Sequence, residues 1–417
     1  MNQPETVLLT GNFRQTIAVV RSLARAGHRV VIGRDQERAF TEFSRFTSAV
    51  WPCESADRDR FYARVGEFIQ ACDRKPILFP VGEFSLERFA VAQERFDAVS
   101  TVVMPGREVV ERCLDKTALN ELALSLGVRL PPTAPFVSRA DWEARAREFG
   151  YPCVIKRKSS FTLVEGKKAL ILENEQALAR YLGSDDAAIE PESLILQKYV
   201  RGRRHNCHFA AVDGEVIAYF EQKVLRTDAW DGTGYGVEGV SVEPTAEMQR
   251  WTEMLARKLG YTGVGCTQFL VDQDEDLGFF LELNPRLDAT CALPGYSGYD
   301  FPLLAVECAQ YRNGNGIRPV APRSDYPAGV RVHWLLGDLL GWMHAVHHRE
   351  ITPREAIRWL RCTVRAFFSH RRHLTWSWSD PLPTLVLYRQ HAGEVFRNLF
   401  GGFARELRRR FRPAETA

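Results

Sequence analysis

The sequence predicts a multidomain protein of the α/β and α+β classes: an open parallel α/β unit first, a two-part α+β unit next, and a mainly helical C-terminal extension. Three observations carry that reading. A chain of 417 residues is too long for one ordinary core, because domains run to roughly 100–200 residues. The first hundred or so residues repeat a strand, turn and helix rhythm, whereas the middle of the chain pairs strands through tight turns. Beyond residue 312 the character shifts to tryptophan, histidine and arginine. Boundaries are therefore expected at 1–112, 113–312 and 313–417.

Thr6–Thr10 is a β-branched and leucine run, followed by a turn at Gly11 and an amphipathic stretch, Arg14–Ala26, that stops at Gly27. Arg29–Gly33 reads as a second strand. The rhythm returns with a helix at Phe61–Cys72 and strands at Ile77–Pro80 and Thr101–Met104. Open parallel sheets bind ligands at the carboxyl ends of their strands, so the Gly11-Asn12-Phe13-Arg14 turn marks a ligand pocket. It lacks the full G-x-G-x-x-G fingerprint of a dinucleotide site. A helix is expected from Val109 through Asp115-Lys116 to Leu124, and Pro131-Pro132 then breaks the chain. Next come a strand at Tyr151–Lys156, a hairpin-like segment to Leu172, a helix around Glu175–Leu182 and a strand at Ser193–Tyr199. His208–Val212 and Val216–Gln222 flank Asp213-Gly214, a strong hairpin signal. The glycine-rich segment Thr227–Gly239 reads as a mobile loop. A helix, Ala246–Leu259, precedes strands Gln268–Val271 and Gly278–Leu283, which an acidic turn, Asp272–Asp276, connects. Helices at Leu335–His347, Pro353–Ser369 and Tyr388–Arg410 complete the chain.

Composition narrows the function. A 45% hydrophobic and 26% charged chain has neither the charge excess of disorder nor the apolar runs of a membrane protein. No stretch approaches the roughly 20 apolar residues of a transmembrane helix, and Met1-Asn2-Gln3-Pro4-Glu5 lacks the regions of a signal peptide. A cytoplasmic location is the expectation. The nine cysteines occur singly, without C-x-x-C or clustered Cys/His spacing, and read as reduced thiols. A balance of 55 basic to 52 acidic residues argues against a nucleic-acid partner. The tail is locally different: Val395, Phe396, Leu399, Phe400, Phe403, Leu407 and Phe411 recur at helical spacing among arginines. Such a basic amphipathic helix either lies on an anionic membrane surface or packs on this protein or a second subunit.

Two constellations carry chemistry. Period-two alternation puts Glu282 and Asn284 on one strand face, and an antiparallel neighbour brings Gln268 alongside. Three hard oxygens then converge, a set suited to magnesium carried in on a nucleotide. Alone, Glu-x-Asn is an ordinary solvated strand face. Pro285-Arg286 adds a guanidinium where a transferring phosphoryl group needs its charge neutralised. The second set is basic: Lys116 on a helix, and Lys156 ending an apolar strand, where a buried ammonium needs an anion. Between them, Leu194–Val200 is an apolar strand whose outgoing backbone can pair with an adenine edge, with Tyr199 and Val200 as wall.

In order, Asp115-Lys116, Val154-Ile155-Lys156, Gln197-Lys198-Tyr199-Val200, Gln268 and Glu282-Leu283-Asn284-Pro285-Arg286 resemble the ATP-grasp superfamily, in its carbamoyl-phosphate-synthase-like and biotin-carboxylase-like branch. The resemblance spans roughly residues 6–310 and implies a pre-ATP-grasp α/β domain followed by a two-part ATP-grasp domain. It implies that Lys116 and Lys156 contact ATP phosphates and that Gln197, Lys198, Tyr199 and Val200 form the adenine hinge. Gln268, Glu282 and Asn284 would hold Mg2+, and Arg286 would touch the transferred phosphoryl group. His205 would contact the ribose, and Lys223 and Arg226, on a basic strand, would lie near the phosphates. The implied activity is carboxylate–amine ligation through an acyl phosphate, releasing ADP and phosphate. Small-molecule or cell-envelope-derived carboxylate and amine substrates are the expected partners, and a homodimer the expected assembly. Where relatives carry a glycine-rich loop over the phosphates, Ser159–Lys168 has one glycine, so Ser159, Ser160, Lys167 or Lys168 would act there. Thr227–Gly239 would be the lid, with Asp228, Asp231, Tyr235 and Glu238 as contacts to an amine. The rivals are an ATP-binding sensor or scaffold without turnover, and a kinase or carboxylating ligase with a non-amine acceptor.

Overall fold

The computed structural model describes residues 4–35, 39–54, 56–158, 163–167, 169–274, 277–320 and 325–392. The chain opens with five parallel strands, β1 (Thr6–Thr10), β2 (Arg29–Arg34), β3 (Ala49–Pro52), β4 (Ile77–Pro80) and β5 (Thr101–Val102), in the order β3-β2-β1-β4-β5. Val7, Leu8, Leu9 and Leu78 are fully buried, as in a parallel sheet covered on both faces. Strand order reverses between β1 and β4, so the turns after Thr10 and Pro80 border one crevice. Phe13 lies over both turns: a Cβ on Gly82 would stand 2.1 Å from its ring, and one on Gly11 2.9 Å. Glycine is the residue that lets the ring in.

The expected single helix through Lys116 is two, Arg107–Leu114 and Lys116–Ser125. Asp115 causes the break: its carboxylate accepts from Thr117 N and Ala118 N, capping a new helix. Lys116 thereby becomes the first residue of a helix whose N-terminal end favours anions. A four-stranded antiparallel sheet follows, from β6 (Thr133–Pro135), β7 (Cys153–Arg157), β8 (Leu170–Leu172) and β9 (Leu194–Lys198), ordered β6-β9-β7-β8. Helices Arg139–Phe149 and Glu175–Leu182 cover one face, against Cys153, Ile155, Leu194 and Leu196. Val154 and Lys156 consequently point to the other face.

The third sheet is antiparallel: β10 (Gly202–Val212), β11 (Glu215–Thr227), β12 (Gly236–Ser241), β13 (Gly263–Asp272), β14 (Gly278–Asn284) and β15 (Arg331–His333), ordered β14-β13-β10-β11-β12-β15. Its outer face packs on helices Lys116–Ser125 and Ala246–Leu259 through Cys207, Phe209, Phe269, Phe280 and Leu283. Its inner face carries Ala210, Phe220 and Val264 into the core shared with the first sheet. β12 corrects the reading of Thr227–Gly239 as loop. Val237 is fully buried and Gly239 packs near Val332 and Leu293, so its glycines serve strand packing, and the connection shrinks to 228–235.

The segment beyond residue 312 is helical at Leu335–His347, Pro353–Ser369 and over 382–392, and it also supplies β15 to the sheet. The remainder of the expected helix Tyr388–Arg410, the apolar stripe from Val395 to Phe411, and Ser159, Ser160 and Lys168 lie outside the described residues. No helix of the described residues is long and apolar enough to cross a membrane. Asp338 fastens the segment. It is fully buried and accepts from both terminal nitrogens of Arg226 (2.8 and 2.7 Å), from Trp359 Nε1 (2.6 Å) and from His333 Nε2 (2.8 Å). Burial alone would push this carboxyl up, but His333 and Arg226 bring it down to about 2. Asp338→Ala leaves a guanidinium and an imidazole without their acceptor and is expected to cost about 3–5 kcal/mol. Urea unfolding, read through fluorescence of the stacked Trp230 and Trp359 pair, checks this.

Candidate active site

A cavity of about 240 Å³ opens between the inner face of the four-stranded sheet and the β10–β14 side of the six-stranded one. Val154 and Lys156 of β7, Ile171 of β8 and Gln197 of β9 form one wall; Leu270 of β13 and Leu281 of β14 form the other. Lys198, Tyr199 and Val200 close the end where β9 leaves for β10. Lys198 N donates to Pro132 O, and Gln197 Nε2 to Thr133 Oγ1, both at 2.8 Å, which pins this connection. The result is an apolar slot bordered by strand-end backbone and a lysine, shaped for a flat heteroaromatic ring with an anionic extension.

Lys156 reports the field in the slot. Burial, and then Lys116 alongside, push its ammonium down to about 8, while Glu282 opposes the shift. Those interactions bring together three residues far apart in sequence. Glu282 sits opposite Gln268 in the β13–β14 ladder, and Asn284 opposite Cys266. Asn284 Nδ2 donates to Glu282 Oε1 at 2.9 Å. Gln268, Glu282 and Asn284 therefore share one sheet face, one carboxylate and two amides, with Glu282 in electrostatic reach of Lys156. That donor set would suit a magnesium ion carried in on a nucleotide.

Arg286, just beyond, reaches the first sheet: its Nη2 donates to Glu83 Oε2 at 3.2 Å, and its Nε has no hydrogen-bond partner among the described residues. Glu83 begins the helix after β4 and is not legible in sequence as a site residue, because nothing local distinguishes it.

Other expected site residues are placed differently. His205 and Lys223 pair with each other, one position off the Asn206–Gln222 row, and so face the outer side of the sheet. His205 Nδ1 is 2.7 Å from Glu221 Oε1, in a buried network with Thr245. Neither residue is among those lining the cavity. Arg226 does line it, but its guanidinium is held by Glu238 (2.6 Å) and Asp338, so it fixes the wall. Glu238 is further bound to His370 at 2.9 Å. Lys167 pairs with Glu350 at 3.1 Å, and Asp231 caps its own turn through Thr233. Asp228 accepts from Tyr235 N at 2.7 Å, closing the 228–235 connection on itself.

Residues 238–313 match the family model described as carbamoyl-phosphate synthase L chain, ATP binding domain. The chain is 26% identical over 223 residues to the carbamoyl phosphate synthase large chain of Xanthomonas campestris pv. campestris, covering 50% of this chain and 20% of that one. It is 27% identical over 242 residues to pyruvate carboxylase 1 of Caenorhabditis elegans, covering 54% and 20%. The chain thus spans about a fifth of the length of these curated relatives. Among solved structures, the biotin carboxylase domain of Hydrogenobacter thermophilus 2-oxoglutarate carboxylase, a dimer in complex with MgADP, ADP and bicarbonate, superposes with a TM-score of 0.63 at 18% identity, over 79% of this chain and 74% of that one. N5-carboxyaminoimidazole synthetase of Staphylococcus aureus gives 0.57 at 15%, over 74% and 79%. Sheet order, ligand row and these likenesses agree: the protein has the ATP-grasp fold and is related to the carbamoyl-phosphate synthases and biotin-dependent carboxylases.

Proposed function

We propose that the protein is an ATP-dependent carboxylate–amine ligase. The observation that carries the reading is Lys156, a half-buried lysine in the wall of an apolar slot, in electrostatic reach of Glu282 and of Lys116 at a helix N-terminus. Two cations and a carboxylate around a largely apolar cleft make sense when a polyanion and its magnesium complete the charge balance. In this reading Gln197–Val200 borders the adenine, Lys116 and Lys156 hold phosphates, and Gln268, Glu282 and Asn284 hold the metal. Magnesium, when bound, neutralises charge on the phosphate oxygens.

A carboxylate oxygen of the acyl substrate attacks the γ-phosphorus and ADP leaves. An amine nitrogen then attacks the acyl carbon, phosphate leaves, and the nitrogen loses a proton. Phosphoryl transfer asks the protein mainly for positioning and charge neutralisation, which Arg286 and the lysines supply. Glu83 keeps Arg286 aimed at the crevice where β1 and β4 end, the place for the acceptor at a topological switch point. The dimeric H. thermophilus domain supports a homodimer here as well.

Two outcomes test this reading. ADP release by the purified protein with Mg–ATP is expected to rise with one pool of carboxylates, further with an amine, and to give a product lighter by one water than the summed substrates. Glu282→Gln is expected to lower that turnover roughly 100-fold or more with a much smaller loss of ATP affinity; ATP binding without turnover from any pool would favour the rival reading as a nucleotide sensor. The second outcome is a pH dependence. Lys156 has a folded pKa of about 8, below the 10.5 of a free lysine, so its charge costs stability below pH 8 and that cost disappears between pH 8 and 10.5. Phosphates bind the charged form, so ATP affinity is expected to be flat below pH 8 and to weaken above it. Equilibrium titration shows this, and Lys156→Arg removes the dependence.

A further inference from the structure

Helix Pro353–Ser369 presents two faces to water besides the one it buries. Trp359, Thr363 and Ala366 form the buried face, where Trp359 donates to Asp338 and stacks on Trp230. Ile357, Leu360, Val364, Phe367 and Phe368 also recur at helical spacing, yet they are 39–81% exposed. A lone exposed apolar side chain is ordinary, whereas these five make a stripe about 16 Å long over three turns. Arg354, Arg358, Arg361 and Arg365 form a second row at helical spacing, on the side of the stripe away from the buried face, and all four are exposed. Residues 353–372 hold six arginines and one acid, Glu355, whose carboxylate is spent on the cap at Thr352.

What covers this face must be apolar along the stripe and anionic along its edge. A second copy of the chain would bring two such six-arginine segments together, with one acid in each to offset them. Residues 393–417 carry six arginines to three glutamates, so they too would add positive charge to positive. A nucleic acid offers phosphates to the arginines but no apolar surface along its backbone for the stripe. A lipid surface with anionic headgroups offers both: phosphates at the level of the guanidiniums, and the acyl boundary just beneath them for the apolar side chains. We propose that the exposed face of helix Pro353–Ser369 docks on an anionic lipid surface, with the helix lying in its plane, the stripe inserted and the arginine row on the headgroups. The proposal is independent of the ligase reading, since none of these side chains lines the slot.

The test is sedimentation of the full chain with vesicles of phosphatidylcholine alone and of phosphatidylcholine with about 30% phosphatidylglycerol. The anionic vesicles are expected to bind at least about tenfold more strongly, and raising salt from about 0.1 M to about 0.5 M to weaken that binding severalfold. Arg361→Gln with Arg365→Gln lowers the partition about 25-fold, about fivefold for each charge removed. Val364→Ser with Phe368→Ser lowers it about tenfold or more. All four side chains are exposed, so both pairs are expected to keep the parent's thermal midpoint. Arg112→Gln with Arg180→Gln, exposed arginines of other helices, removes the same charge and leaves the partition unchanged. Equal binding to the two kinds of vesicle, binding to neither, or binding that survives either pair of substitutions in the helix overturns the proposal. So does a dimer that the Val364→Ser and Phe368→Ser pair dissociates without any vesicle binding, which gives the stripe to a second copy. Capture of duplex DNA in place of vesicles, lost in the arginine pair alone, overturns it in favour of a nucleic acid.

Discussion

The site depends on one extra residue in β14. Gln268 pairs with Glu282, but the next residue of β13, Phe269, pairs with Phe280, so Leu281 is a bulge. Without it, alternation would put Phe280 and Glu282 on the same face. With it, Phe280 is buried against the helices of the outer face while Glu282 and Asn284 turn inward beside Gln268. The bulged Leu281 itself becomes cavity wall, next to Leu270. One irregularity thus separates a hydrophobic strand face from a polar one and places the ring slot beside the proposed metal ligands. A one-residue slip elsewhere in β13 would turn Gln268 into the helix layer.

Charge is distributed across the site by how fully each arginine is committed. Arg226 gives three N–H groups to Asp338 and Glu238 and is part of the wall. Arg286 gives one to Glu83 and one to the Leu287 carbonyl, and Arg14 and Arg204 each give one to a backbone carbonyl at the C-terminal end of the 228–235 connection. Arg14 and Arg286 stand near the crevice of the first sheet, whereas Arg204 and the fully committed Arg226 both line the ring slot.

Much of this was legible because it is local. Strand β4 and the helices Leu335–His347 and Pro353–Ser369 have the expected limits, since turn residues and caps stand at their ends: Thr352 with Glu355 forms a capping box. The lysines and the Gln268, Glu282 and Asn284 set are legible from motif order. The break at Asp115 was hidden by apolar periodicity that runs through it, although Asp followed by Lys-Thr-Ala is an N-cap signal. The face of His205 and Lys223 was not legible, because one residue of register decides it. Arg14, Glu83, Asn206, Gln222 and Asp288 are scattered along helices, strands and a loop and meet only through the tertiary fold, so no spacing rule could assemble them.

The C-terminal segment touches both walls of the slot, and the two contacts differ in strength. On the six-stranded side, Asp338 binds Arg226 with no exposure to solvent, and such buried pairs resist separation because breaking one strands a charge. On the four-stranded side, Lys167 meets Glu350 in a half-exposed pair, where solvent screening leaves at most about 1 kcal/mol. The core of the small sheet is its own, built from Trp142, Ile155, Leu178 and Leu196 and continuous with neither of the others. A cleft walled by one sheet braced through buried charge and another tethered through a weak surface pair is expected to close by movement of the second, which would carry Lys156 toward Glu282 and exclude water from an anion held between them.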